Sequence, residues 1–583
     1  MRTFVRDVPA ALVIALLMLV LGNGMKASAQ LVTNTSDSGP GTLRDAINNA
    51  TNDVVITFAP NLSGATITLT TTTLTINTNL TINASALTNN IQINGNGSNQ
   101  VFNVASNITV VLNSLTITNG YTGGYGGGIT NNGTLTVTDC TLSGNRANSF
   151  FNEGLGGAIY NAGTGILVVN NCTLSGNSAI DGGAIANVGG TATVNQSTLS
   201  GNSASDYGGG IVNSGTLTVN NCTLSGNSAG GAGGGICNFD TLTVNQSTLT
   251  GNGATGGAGE GGGIFNGVNY KATNAVTLMV NQSTLTGNSA PSGFGGGIYN
   301  GGTLMTITNT IVAGNSGLSG QSSDIDNQEP PGDTIAFGGA NIVPVLEGGF
   351  VDIITGPAPI TNAPDLAPIG NYGGPTQTLP PVPGSPAIAA GSVAANSFTT
   401  DQRGYPRVLN GQIDIGAVEL PTIQYTASPT NAPVGLPVQF NCPSVDSDGS
   451  VIIQWNWSFG DNTASTDQNP SHAYATVGSF SPGLVVTNSL GLAVPGSGPS
   501  ITASPTPAIT DITLSGTNLV INGDNGFSGL TYYVLTSTNL TLPWGQWTPV
   551  ATNIWSANGS FNLTVTNIVN PLVPQQFYLL QVP

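Results

Sequence analysis

The stretch 216-TLTVNNCTLSGNSAGGAGGGICN-238 contains no Lys, Arg, His, Asp or Glu. Versions of it recur along the chain, and their spacing decides the fold. Aligned on the T-L-[ST]-G-N element, the repeated Asn falls at Asn145, Asn177, Asn202, Asn227, Asn252, Asn288 and, in IVAGN, at Asn315. The intervals are 32, 25, 25, 25, 36 and 27 residues. The Gly-rich element places its Ile at Ile129, Ile159, Ile185, Ile211, Ile236, Ile264 and Ile298, at intervals of 30, 26, 26, 25, 28 and 34. A base period of 25 residues with insertions marks a solenoid, because one such unit cannot bury its apolar face except on its neighbours.

Each unit reads as short strands: T-L-T-V, then [CS]-T-L-S, then G-I-x-N. Thr, Val and Ile favour strands, alternation marks one buried face, and Gly and Asn supply turns. Stacked in register, three strands per unit predict three long parallel sheets around one interior, with coils about 4.8 Å apart. Leu217, Val219, Leu224 and Ile236 are then inward. Two Asn columns follow. One is the G-N series above. The other is Asn131, Asn161, Asn187, Asn213, Asn238, Asn266 and Asn300. Asn tolerates turn backbone, and its amide can bond the identical amide one coil away, so both columns are expected to form axial ladders. Cys140, Cys172 and Cys222 share one repeat position with Ser197, Ser247 and Ser283, and are expected to be buried packing thiols. Five cysteines without paired spacing form neither a disulfide framework nor a zinc site.

Composition narrows the function. Residues 1–29 read as a signal peptide: a basic start, an apolar run from Ala10 to Leu21, and Ala27-Ser28-Ala29 before the cut. Without them, 5 basic and 25 acidic residues remain. Charged residues are only 6% of the chain. The acidic balance, with no basic patch, argues against nucleic acid and permits divalent cations. No later stretch is long and apolar enough for a transmembrane helix.

These motifs resemble known families. The GGGIYN and TLTVNNCTLSGNSA units are similar to the repeats of bacterial polymorphic outer-membrane proteins, within the right-handed parallel β-helix of the pectin-lyase-like fold. The stretch 36-SDSGPGTLRDAINNAT-51 looks like the N-terminal cap of such secreted proteins, and 401-DQRGYPRVLNGQIDIGAVE-419 resembles their terminal, choice-of-anchor-type motif. After Pro421, 455-WNWSFGD-461 and 469-NPSHAYATVGSF-480 resemble a PKD domain, an immunoglobulin-like β-sandwich. The expected class is therefore all-β. Its order is signal peptide 1–29, cap 30–54, β-helix 55–420, PKD-like domain 421–502, linker 503–508 within the Pro- and Gly-rich run 495–508, and a small all-β module 509–583. The stretch 316–400 reads as irregular final coils and loops.

The pectin-lyase-like fold includes polysaccharide lyases and hydrolases. The resemblance implies that such enzymes carry a basic groove, or clustered Asp with His-Gly and Arg-x-Lys motifs. Between 100 and 320 the only basic residues are Arg146 and Lys271, the sole His is His472, and none of those motifs occurs. No catalytic residue is assigned, and a lyase or hydrolase is kept as the alternative. The turn before each G-G-x-I does collect carboxylates, at Glu153, Asp181, Asp206 and Glu260, and aromatics, at Tyr125, Phe150, Phe151, Tyr207 and Phe294. A solvent-facing turn collects charge in any case, yet stacking would line these groups along one edge. Tyr125, Glu153, Asp181, Asp206, Tyr207, Glu260 and Phe294 are the candidate ligand-contacting residues. Asp181 with Asp206, and Asp446 with Asp448 in 446-DSDGS-450, are candidate calcium ligands. No cofactor is required, and calcium is kept only as a candidate ligand ion. The expected role is a non-enzymatic bacterial protein, extracellular or on the outer cell surface, that offers a long face for adhesion or for binding polysaccharide, matrix or cell-surface components.

Overall fold

The computed structural model describes residues 29–583 except 150–152, 258, 269–274, 328–333, 349–352, 528–530, 556–558, 570–571, 574 and 582–583. Residues 1–28 of the expected signal peptide, Phe150, Phe151 and Lys271 therefore lie outside the described residues. The chain forms two compact units that divide between Leu420 and Pro421.

The first unit is a parallel β-solenoid. In the coil 216–238, Thr216–Asn220 lies in sheet A, Thr223–Ser225 in sheet B, Ser228–Ala229 in sheet C and Ile236–Asn238 in sheet D. Among the described residues these sheets hold 13, 10, 6 and 11 strands. The expectation of three sheets is corrected to four: the S-A pair after G-N, too short to read as a strand, pairs coil to coil as Arg146↔Ser178, Ser178↔Ser203 and Ser203↔Ser228. Register is fixed by alternation. In sheet A, Thr193↔Thr218 pairs outside while Ala192↔Leu217 and Val194↔Val219 pair inside. The inward Leu, Val and Ile form one continuous core, fully buried at Leu217, Val219, Leu224 and Ile236.

Both Asn columns are hydrogen-bonded chains. In the first, each Asn Nδ2 donates to the Oδ1 one coil on, at 2.7 Å for Asn131–Asn161, Asn161–Asn187 and Asn187–Asn213 and 2.8 Å for Asn213–Asn238. It continues through Asn266 and Asn300 to Asn327. The second runs from Asn145 through Asn177, Asn202, Asn227, Asn252 and Asn288 to Asn315, whose amide ends on Asp324. Here each Oδ1 also takes the backbone N–H of the preceding Asn. The Cys/Ser column works alike. Cys140 N–H points at Cys172 Sγ, Cys172 N–H donates to Ser197 Oγ, and Ser197 N–H points at Cys222 Sγ. A group small enough to sit in the corner and able to accept a hydrogen bond is what Cys and Ser share. All five cysteines are free and buried.

The N-terminal segment joins the solenoid by a strand, Ala29–Val32, paired with Val54–Phe58 in sheet A. Between them helix Leu43–Asn48 is started by Thr42, whose hydroxyl accepts the Asp45 N–H. Its Leu43, Ala46 and Ile47 enter the core. Arg44 bonds Asp37 at 2.7 Å and donates to the carbonyls of Thr72 and Thr73.

The other end departs from the expectation of irregular final coils over 316–400. Regular coils continue through Ile325–Asn327 and Thr334–Gly338. The chain then folds back along the outside of sheet B. Gln402 reaches Cys222 O, Thr223 and Thr248; Ala417 N–H donates to Thr284; Ser392 N–H donates to Asn309. Thr223, Thr248 and Thr284, on the outer face of sheet B, are consequently buried. The D-x-R-G…DIGA-x-E motif holds this segment. Arg403 pairs with Asp401 at 2.8 Å with both side chains fully buried, and Arg407 lies 4.0 Å from Glu419. Arg403 donates to Glu419 O, and Arg407 to Asp414 O and Gly416 O. Three carboxyls thus face two guanidiniums away from water. Burial, and then the Asp414 charge, push Glu419 up to about 9.

In the second unit, residues 421–504 form small sheets around Trp457, Phe459, Phe440 and Tyr474. Ala493–Ser497 is a strand within the expected PKD-like bounds, and the strand Ile501–Ser504, paired with Asn431–Pro433 and Gly478–Phe480, runs into the linker expected at 503–508. Alternating side chains there pack inward at Ile501 and Ala503, which outweighs the Pro and Gly on either side. Two three-stranded antiparallel sheets from Ala508 onward make the C-terminal module, with Trp555 and Tyr532 in its core.

Candidate functional site

The turn that enters sheet D is built on a left-handed corner. Gly126, Gly156, Gly182, Gly208, Gly233, Gly261 and Gly295 all have φ between 65° and 72°. At Gly182 a Cβ would lie 2.4 Å from Ile185 O, so no side chain fits. The residue before this Gly is therefore held on the rim of the coil. Backbone bonds from each such Gly to the next coil define the column: Tyr125, Leu155, Asp181, Tyr207, Ala232, Glu260 and Phe294.

Five of the seven candidate residues stand in this column: Tyr125, Asp181, Tyr207, Glu260 and Phe294. Two do not. Leu155, not Glu153, occupies the column in its coil, because the corner Gly rather than the loop fixes the count. Glu153 lies two residues back and is exposed. Asp206 lies one residue back, where its N–H bonds Ile180 O and its carbonyl takes the Gly231 N–H. The coil 216–238 contributes Ala232, which brings neither a carboxylate nor a ring to the column.

Asp181 and Asp206 are nonetheless neighbours. Asp181 Oδ1 accepts the Tyr207 N–H at 3.0 Å. Burial raises the Asp181 carboxyl to about 6, the Tyr207 N–H pulling it down and the Asp206 charge adding to the rise. Burial also raises Asp206. Tyr207, Tyr125 and Phe294 are exposed on the same line.

Beside this column the x residue of G-I-x-N points outward from sheet D and is still covered. Ala186, Val212, Cys237, Phe265 and Tyr299 form an external apolar cluster, flanked by Leu155, Tyr160, Val188 and Phe239. Tyr125 stacks on Tyr160 with centroids 4.7 Å apart, and Phe265 on Tyr299 at 5.2 Å. Tyr207 meets Phe239 edge-on at 5.7 Å, and Phe239 meets Phe265 at 5.9 Å. Burial, with the Asp181 and Asp206 charges behind it, drives the Cys237 thiol well above its usual range. This strip is not among the residues expected from sequence. Its signal was present, since a strictly alternating I-x-N strand has an outward x, and here that x is apolar in five successive coils.

The second calcium candidate is arranged differently. Asp446 Oδ1 accepts the N–H groups of Asp448 and Ser450, and its Oδ2 accepts Asn488 Nδ2 at 2.7 Å. Both oxygens are committed to closing the loop, as in an Asx turn. Among the described residues no three His, Cys, Asp or Glu side chains converge as a metal site. Asp461 accepts from Thr463 and from His472 Nε2 at 2.8 Å; burial opposes its ionisation, but these bonds win and its carboxyl is lowered. The His472 ring stacks on Phe459.

Residues 418–497 match the PKD domain family. A 98-residue stretch is 32% identical to collagenase ColA of Bacillus cereus, covering 17% of this chain and 10% of that protein. A solved structure of carbohydrate-binding modules from the β-sandwich superfamily is 19% identical, covers 28% of this chain and 91% of its own, and superposes with a TM-score of 0.14. No helix among the described residues is long and apolar enough to cross a membrane.

Proposed function

We propose that this is an extracellular or cell-surface, non-enzymatic β-helix protein whose sheet D rim binds carbohydrate of a matrix or surface. The observation that carries the reading is the column itself. Exposed Tyr125, Tyr207 and Phe294 share one line with half-buried Asp181 and Glu260, repeated at coil spacing on a rigid frame. Aromatic faces can stack on sugar rings while carboxylates accept their hydroxyls. The PKD family match and the limited identity to a collagenase support an extracellular setting for the second unit. Calcium at Asp181 and Asp206 would need further oxygens, which sugar hydroxyls or water supply.

A polysaccharide hydrolase is the second reading, favoured by one observation: Asp181 keeps its proton to about pH 6 beside another carboxylate. A glycan array read for binding, followed by a reducing-sugar and unsaturated-product assay on every ligand found, separates the two. Binding lost in Tyr207→Ala with no product formed supports the first reading. Turnover abolished by Asp181→Asn replaces it with the second.

A further inference from the structure

The described chain carries few cations, and nearly all are spent. Arg44 is paired with Asp37 and Arg403 with Asp401, while Arg407 is buried near Glu419. Arg146 is different. It is exposed, and among the described residues it has no carboxylate partner. Its place in the fold is specific. Arg146 is the outward residue of its sheet C strand, since Ala147 beside it is fully buried. Register sets Tyr121 on the strand before it and Ser178 and Ser203 on the strands after it.

Arg146 lines two cavities. One of 530 Å³ is lined by Asn94, Asn96, Asn119, Tyr121 and Arg146. The other, of 340 Å³, is lined by Arg146, Asn148, Ser178, Ser203 and Ser205. Both are of small-ligand size. Their described linings hold amides, hydroxyls and glycine backbone and no carboxylate. A chain of net charge −18 repels polyanions in general, so a lone guanidinium in a carboxylate-free groove is a selective place for negative charge. A guanidinium binds planar oxyanions through paired hydrogen bonds, and the tyrosine ring beside it offers a face for a sugar.

We propose that Arg146, with Tyr121 and the flanking Asn and Ser groups, is a binding site for the oxyanion of an acidic glycan, a uronate carboxylate or a sulfate. This site lies on sheet C and is separate from the sheet D rim. The test is native affinity electrophoresis of the full chain in gels containing polygalacturonate, dextran sulfate or uncharged dextran, at two salt concentrations. At least one anionic polymer should retard the protein, less so in high salt, and uncharged dextran should not. The polymer that retards it tells carboxylate from sulfate recognition. Arg146→Gln should weaken that binding by about 10- to 100-fold, as expected for loss of a charged hydrogen-bonding partner. Arg146→Lys should recover part of it, and Tyr207→Ala should leave it unchanged. Arg146 is exposed, so both of its variants should melt like the parent. Failure of both anionic polymers, equal retardation by dextran, unchanged binding in Arg146→Gln or an equal loss in Tyr207→Ala would each overturn the site. Failure of the sheet D reading alone leaves these outcomes as stated.

Discussion

Asn202→Ala should be among the most damaging single substitutions in the solenoid. Asn202 Oδ1 accepts Asn177 N–H at 3.0 Å and Asn177 Nδ2 at 2.9 Å; its own Nδ2 donates to Leu174 O and to Asn227 Oδ1, each at 2.9 Å. Alanine removes all four bonds. Asn177 Nδ2 keeps Leu142 O, and Asn227 Oδ1 keeps the Asn202 N–H. The Asn177 N–H and the Leu174 carbonyl lose this partner in a buried corner. At roughly 1–3 kcal/mol for each such group, the cost is about 2–6 kcal/mol. Asn195 is the control. It also belongs to a chain of amides, bonded to Asn170 and Asn220 at 2.8 Å, but on the half-buried outer side. Water can replace those bonds, so Asn195→Ala should cost less than about 1 kcal/mol. Guanidinium melts followed by circular dichroism, with hydrogen exchange to localise the loss to neighbouring coils, measure both. If Asn202→Ala costs no more than Asn195→Ala, the ladder is incidental to the corner and the argument from buried amides is wrong.

Three further outcomes follow from the same geometry. Glu419 binds a proton in the folded state up to about pH 9, whereas a free glutamate releases it near its ordinary 4.5. The folded chain therefore holds more protons between those values, and the contribution of this group is full below 4.5 and lost as pH rises through 9. Hydrogen exchange of residues 376–420 should quicken toward pH 9 beyond its intrinsic pH dependence, and Glu419→Gln should flatten that trend. The thiols of Cys140, Cys172, Cys222 and Cys237 should resist a thiol reagent in the native protein and react on unfolding. All four are buried, and burial raises Cys222 to about 12. Gly182→Ala should lower the melting temperature and cost more than about 1 kcal/mol, because it puts a Cβ at positive φ against Ile185 O. A melt equal to that of the parent would show that the corner can relax.

The repeat was legible because it is dictated by stacking: the same Leu, Val, Ile and Asn must recur wherever a coil faces its neighbour. The column of rim residues was partly legible. Tyr125, Asp181, Tyr207, Glu260 and Phe294 could be found by counting back from the Gly pair. Glu153 misled because the loop before that pair varies in length and charge alone does not report register. The two-residue strands of sheet C were invisible to patterning, since Ser-Ala carries no strand preference and is held by the coils on either side. The fold-back of 376–420 was also hidden. Its contacts join Gln402 to Thr223 and Thr248, far apart in sequence, and nothing in the local composition of either points to the other. The three Thr residues it covers look like ordinary exposed strand positions until a second segment lies on them.

The proposed glycan-binding column is set by the rigid coil spacing. From Tyr125 to Phe294 it crosses six coil steps, roughly 29 Å at the strand spacing. The most direct measurement is calorimetric affinity for a series of oligosaccharides of increasing length from the best polymer in the array. Affinity should climb with length and level off once the ligand spans the column, and Tyr207→Ala, in its middle, should flatten the climb. Affinity that is independent of length, or a climb untouched by Tyr207→Ala, would contradict the account.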